Sequence, residues 1–139
     1  MAHRPPHVEP SVVELAETAA LAIRCLNHLT RGRQVFTEPA ELSRLLAELT
    51  TMASGLPQLL DQLHRWLRHE HDADRLRADD ADPAEHVSRA AAHLTRAGHT
   101  AHDLTAALDT AHQHLAHLAT VTPNPRKTEL PNQGVSFHP

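Results

Sequence analysis

The 139-residue chain has no tyrosine, one tryptophan and two phenylalanines, so aromatics make up only 2% of it. A core without aromatics has to be filled by Leu, Ala, Val and Ile, and the two commonest of these here, Ala and Leu, are strong helix formers. The β-branched and aromatic residues that populate sheets are scarce, which excludes an ordinary β-sandwich or barrel and leaves an all-α fold. One cysteine, Cys25, excludes any internal disulfide. Its place beside Leu26 on the first helical pattern makes it an expected small buried hydrophobe. There is no long apolar run either: the most apolar segment, "ALAIRCL", carries Arg24 and is far shorter than the ~20 residues of a membrane span. The opening "MAHRPPHVEP" has no apolar core of the kind a signal peptide needs, so a cytoplasmic location is expected, with no membrane partner. Positive charge is also short. Thirteen Lys and Arg stand against 17 Asp and Glu, a net −4, and Lys127 is the only lysine. A nucleic-acid binder would need a basic excess, so none is expected as a partner.

Histidine is what the chain has in abundance. Fourteen are present, and near pH 6.5 half of a set of ordinary imidazoles would be charged, taking the net charge to about +3. Solubility or association is therefore expected to change between about pH 7.5 and 5.5.

Residues 1–10 and 121–139 are Pro-rich and aperiodic and read as a disordered arm and tail. Between them, residues 11–120 read as one helical bundle domain. Ser11 with Glu14 three positions on is a capping-box pattern. It opens a helix to about residue 30 with the apolar row Val12, Leu15, Ala19, Ala22, Ile23, Leu26 and Leu29, ended near Gly32. Thr37 or Glu38 caps a second helix, with Pro39 in its first turn. Its row runs Leu42, Leu45 with Leu46, Leu49, Met52 with Ala53, Leu56, Leu59 with Leu60, Leu63, and Trp66 with Leu67. Pro57 interrupts it, because proline lacks the N–H and clashes one turn back. The spacing predicts two nearly collinear helices, 39–54 and 57–76, with Trp66 as the one large core anchor. The charged "HEHDADRLRADDADP" then reads as a fraying end and a solvated loop. Asp82 and Pro83 start the last helix, whose row passes through Val87, Ala90 with Ala91, Leu94, Ala97, Ala101, Leu104, Leu108, Ala111, Leu115 and Leu118. It keeps phase across Gly98, so residues 84–120 read as one long helix, with a break at Gly98 the competing reading.

The expected architecture is thus an antiparallel all-α bundle of four helices, five if Gly98 breaks the last, with coiled-coil-like seams. The first helix is too short to cover the long seam, and an uncovered apolar stripe marks an interface. A homodimer through Leu94, Ala101, Leu104, Leu108, Leu115 and Leu118 is the expected consequence, with Phe137 in the tail as a second contact for a protein partner.

Sharper functions fare less well. A helix–turn–helix reader would want a small residue where Leu94 stands and an apolar one where His99 stands, and residues 101–120 offer no Lys or Arg to phosphates or bases. His114 with His117, and His99 with His102, have helical spacing for two metal ligands, but a site needs more; the pairs His86/His93 and His64/His71 lie two turns apart. The acidic set around Asp72, Asp74, Asp79, Asp80 and Asp82 lacks the Gly and terminal Glu of a calcium loop. No catalytic residue, metal ligand or cofactor is assigned. HEPN ribonucleases carry an Arg followed four to six residues on by a His, and Arg96…His102 and Arg65…His71 share that spacing without the polar residue after the Arg. A His-based metal binder is the other alternative, and DinB-type bundles are matched less well, their spaced His triad being incomplete.

The stretches "ASGLPQLLDQLHRWL" and "AAAHLTRAGHTAHDLTAALDTAHQHLAHL", within residues 40–120, resemble small Ala/Leu-rich helical proteins of streptomycete-type actinobacteria. The resemblance implies a helical fold and an actinobacterial source, and carries over no functional residue.

Overall fold

A computed structural model describes residues 9–32, 34–79, 82–119 and 121. The proposed arm up to residue 8 and tail from residue 122 lie outside the described residues. Among those described there are three α-helices and no strand: α1, Val12–Leu29; α2, Pro39–Asp72; and α3, Pro83–Leu115. The chain divides into two compact units, Met1–Thr37 and Glu38–Pro139.

In the first unit, α1 starts as its sequence dictates. The Ser11 hydroxyl accepts from the Glu14 N–H at 3.2 Å, and the Glu14 carboxylate accepts from the Ser11 N–H at 2.7 Å. That hydrogen bond from the Ser11 backbone, with a second contribution from the Ser11 side chain, holds the Glu14 carboxyl below its usual value. The helix ends at Thr30, whose hydroxyl donates to the Leu26 carbonyl at 2.8 Å. A lone helix cannot bury its own stripe, and no residue of α1 is buried. Cys25 is exposed, not the buried hydrophobe its neighbours imply.

The second unit is a helical hairpin. Instead of two helices, 39–54 and 57–76, there is one, α2, which runs unbroken from Pro39 to Asp72 with Pro57 inside it. An interior proline costs about 3 kcal/mol of helix propensity and strips the Ala53 carbonyl of its i+4 donor. The packing around it outweighs that cost. Ala53 is the most buried residue of the hairpin, at 1% exposed, and Pro57 and Leu60 are half-buried. Gly98 likewise does not break α3, which is continuous, and no glycine among the described residues has positive φ. The four or five helices expected from Pro57 and Gly98 are therefore three.

α2 also stops earlier and more firmly than a fraying end would. Asp74 takes the left-handed conformation (φ 55°) that glycine usually supplies. The Asp74 N–H donates to the His71 carbonyl at 2.9 Å and the Arg75 N–H to the Glu70 carbonyl at 3.1 Å. This is a Schellman closure. The Arg75 guanidinium then grips the Glu70 carboxylate through two hydrogen bonds of 2.7 Å. This grip lowers the Glu70 carboxyl from its usual value and raises the Arg75 guanidinium. α3 begins as expected, with the Asp82 carboxylate accepting from the Ala84 N–H at 3.0 Å and Pro83 in the first turn. It ends at Leu115, short of the expected residue 120.

Candidate functional site

One polar contact marks the register of the hairpin. His112 Nδ1 lies 3.0 Å from the Ser43 carbonyl oxygen and 3.3 Å from the Ser43 hydroxyl. A carbonyl can only accept, so Nδ1 carries the hydrogen. Ser43 near the start of α2 and His112 near the end of α3 make the two helices antiparallel, and this alignment brings Pro57 level with Gly98 and Ala53 level with Ala101.

The covered row of α3 steps by alternate fours and threes through Val87, Ala91, Leu94, Gly98, Ala101, Thr105, Leu108, His112 and Leu115, all buried or half-buried. That is a heptad seam. Its middle is small: Ala53, Ala91 and Ala101, with Val87, are the only fully buried residues described. Gly98, Thr105 and His112 belong to this row although none is a large hydrophobe. Thr105 is accommodated because its hydroxyl donates to the Ala101 carbonyl at 2.8 Å. Strict 3–4 spacing was the signal that could have placed all three.

The broad apolar pattern of α2 splits into two rows. Leu46, Thr50, Ala53, Pro57, Leu60, His64 and Leu67 share the heptad phase that faces α3, and all are buried or half-buried. The neighbouring row, Leu45, Leu49, Met52, Leu56, Leu59, Leu63 and Trp66, lies about 100° further round. Four of its members, Met52, Leu59, Leu63 and Trp66, are 46–58% exposed. Trp66 is thus not a core anchor; Leu67 and His64 take the positions toward α3. On the same side of the hairpin, Leu56 shares a groove with Ala97, Thr100 and Leu104 of α3. This open face is the candidate site. Of the six interface residues expected from sequence, Leu94, Ala101, Leu108 and Leu115 sit in or beside the α2–α3 seam, while Leu104 and Leu118 are exposed at 46% and 60%.

The opposite side of the seam is polar. A cleft of about 220 Å³ is lined by Asp61, His64, His99 and His102 over Pro57, Leu60 and Gly98. It is smaller than the ~300 Å³ at which small-molecule pockets begin. Asp61 is engaged by Arg65 at 2.8 Å. Despite the three imidazoles, no group of three or more His, Cys, Asp or Glu side chains among the described residues is arranged to hold a metal ion. His117 lies just beyond α3, in a turn whose His117 N–H donates to the His114 carbonyl at 3.2 Å. The ribonuclease pair is also separated. Arg96 borders the apolar groove and His102 the polar cleft, about 120° apart round α3 at 100° per residue. In the second such pair, Arg65 is taken up by Asp61 and His71 lies half-buried on the covered row of α2.

No protein-family model, curated protein or solved structure matches the chain. No helix of the described residues is long and apolar enough to cross a membrane.

Proposed function

We propose that this is a non-enzymatic interaction or regulatory protein that works through the open apolar face of the α2–α3 hairpin, as a homodimer. The observation that carries this reading is the row from Leu45 to Trp66. It is a heptad stripe of large apolar side chains without a charged member, half-buried at Leu45, Leu49 and Leu56 and exposed at Met52, Leu59, Leu63 and Trp66. Soluble monomers rarely expose a contiguous apolar surface of this kind, and one of this length is an association surface. The polar cleft supports catalysis poorly, since its imidazoles stand beside an aspartate already paired to Arg65 and the cationic Arg96 is on the other side.

The chain carries its own reporter. Trp66 is the only tryptophan, there is no tyrosine, and it sits on the proposed surface at 58% exposed. Dilution from tens of micromolar to tens of nanomolar should red-shift its emission as dimers separate, in parallel with a fall in mass by light scattering. Emission of a solvent-exposed indole at every concentration, with monomer mass throughout, would refute the reading.

A further inference from the structure

We infer that the two copies pair about a two-fold axis running along the helices, with α2 of each copy laid on α3 of the other and both hairpin loops at the same end. This rests on the dimer reading above and specifies its geometry. The open face is lopsided. The α2 row is a ridge of Leu, Met and Trp, whereas the α3 row at matching levels is a furrow, with Ala90, Ala97, Ala107 and Ala111 at four of its seven positions. Ridge on ridge would leave the alanine furrows of both copies empty, and voids of that kind are costly. Ridge on furrow fills both at once.

Of the symmetric arrangements, only rotation about an axis parallel to the helices puts α2 over the second copy's α3 while keeping levels unchanged. The levels then match along the stripe. With Ser43 level with His112, Trp66 comes over Ala90 of the second copy, Leu59 over Ala97, and Met52 over Leu104. Five of the seven large side chains meet Ala or Thr; the exceptions are Met52 over Leu104, where two flexible side chains unbranched at Cβ meet, and Leu63 over His93, whose imidazole lines the groove. An isologous interface must be self-complementary in this way.

The size is adequate. From Leu45 to Trp66 the stripe is about 33 Å long at ~1.5 Å per residue. Two helices set ~9 Å apart make it about 18 Å wide, so each copy offers roughly 600 Å², near the ~800 Å² per partner of a standard stable interface. The charged pairs, Asp61–Arg65 and Glu85–Arg89, are exposed and lie outside the stripe, and Arg96 stands at the groove's border beside Ala97, where its long side chain can keep the guanidinium in water.

The arrangement is tested by cross-linking in a Cys25→Ala background. Leu59→Cys protein is mixed with Ala97→Cys protein and oxidised mildly, and the products are separated without reductant. The expected result is a mixed disulfide dimer forming at least tenfold faster than that between Leu59→Cys and Asp103→Cys, position 103 being on the outer side of α3. Faster self-linking of Leu59→Cys than mixed linking would overturn the axis while leaving the dimer reading intact, because α2 would then lie on α2. Absence of any linking while wild-type Trp66 emission still reports burial would likewise overturn this geometry alone. Trp66→Ala, which needs no oxidation, is expected to weaken association on the order of tenfold, as removal of a large aromatic contact at one end of the stripe does. Unchanged association of a Trp66→Ala variant with wild-type helicity would also overturn the pairing.

Discussion

Replacing Gly98 by alanine should stabilise the hairpin. Gly98 lies in mid-α3 with a helical backbone, and a Cβ built on it meets nothing within 4 Å. The substitution therefore incurs no steric cost and gains the full difference in helix propensity, about 0.8–1.0 kcal/mol, much of it from the narrower unfolded ensemble. Gly98 is half-buried, so the new methyl adds a fraction of the ~0.8 kcal/mol that a fully buried methylene contributes. The expected total is about 1–1.5 kcal/mol. In a unit of this size that raises Tm by roughly 4–8 °C per kcal/mol. Thermal melting followed by far-UV circular dichroism reads the shift, and urea titration should move the midpoint with the slope unchanged. Gly55→Ala is an internal control. It too lies in a helix with open space around the new Cβ, but it is exposed, so it should give the propensity term alone. Gly32→Ala should give no such gain, because Gly32 lies outside the helices with Val35 at 3.4 Å. A loss of stability or helicity in Gly98→Ala would refute the reasoning, since it would mean that α3 bends at Gly98 in a way that only glycine permits.

Three further outcomes are expected. Pro57→Ala restores a donor for the Ala53 carbonyl and should stabilise by about 1–3 kcal/mol in denaturant titration, the spread reflecting lost contacts of the half-buried ring; destabilisation would show that α2 depends on a proline bend. Asp74→Gly relieves a left-handed backbone at the end of α2 and should stabilise by about 1 kcal/mol in the same assay; no change would mean that the strain is already offset. Glu14 and Glu70 are both held below their usual value of 4.5, by the Ser11 backbone N–H and by Arg75 respectively. A folded-state pKa depressed below the unfolded one contributes stability that is complete above about pH 4.5 and is lost as pH falls through the lowered value. Both helix ends should therefore hold at pH 5 and loosen only on stronger acidification. Carboxyl NMR titration of the two residues checks this, and a midpoint at or above 4.5 for either would count against its hydrogen bond.

What could be read in the sequence was whatever depends on neighbours along the chain. The Ser11–Glu14 box and the Asp82–Pro83 start are local chemistry, and both stand where the residues put them. Pro57 misled because its penalty is local while the packing that overrides it comes from α3. The end of α2 was hidden because aspartate, not glycine, occupies the left-handed position. The site was half legible. Apolar residues at adjacent heptad positions of α2 merged into one broad stripe, and only the antiparallel alignment with α3 separates Leu46, Ala53 and Leu60 on the covered side from Met52, Leu59 and Trp66 on the open one. The same merging hid that Leu94, Leu108 and Leu115, expected at an interface between chains, are half-buried on the row of α3 that faces α2.

The contact between Ser43 and His112 has a consequence for how the hairpin finds its alignment. Leucine and alanine recur along both helices every seven residues, so sliding one helix past the other by a heptad would still set apolar against apolar over most of the length. Such a slip would carry His112 level with Phe36, before the start of α2, in one direction or with Thr50 in the other, and either way take its Nδ1–H from the Ser43 carbonyl. A single hydrogen bond worth about 1 kcal/mol therefore acts like the notch on a sliding scale. It contributes little to how tightly the two helices hold and much to where along their length they stop.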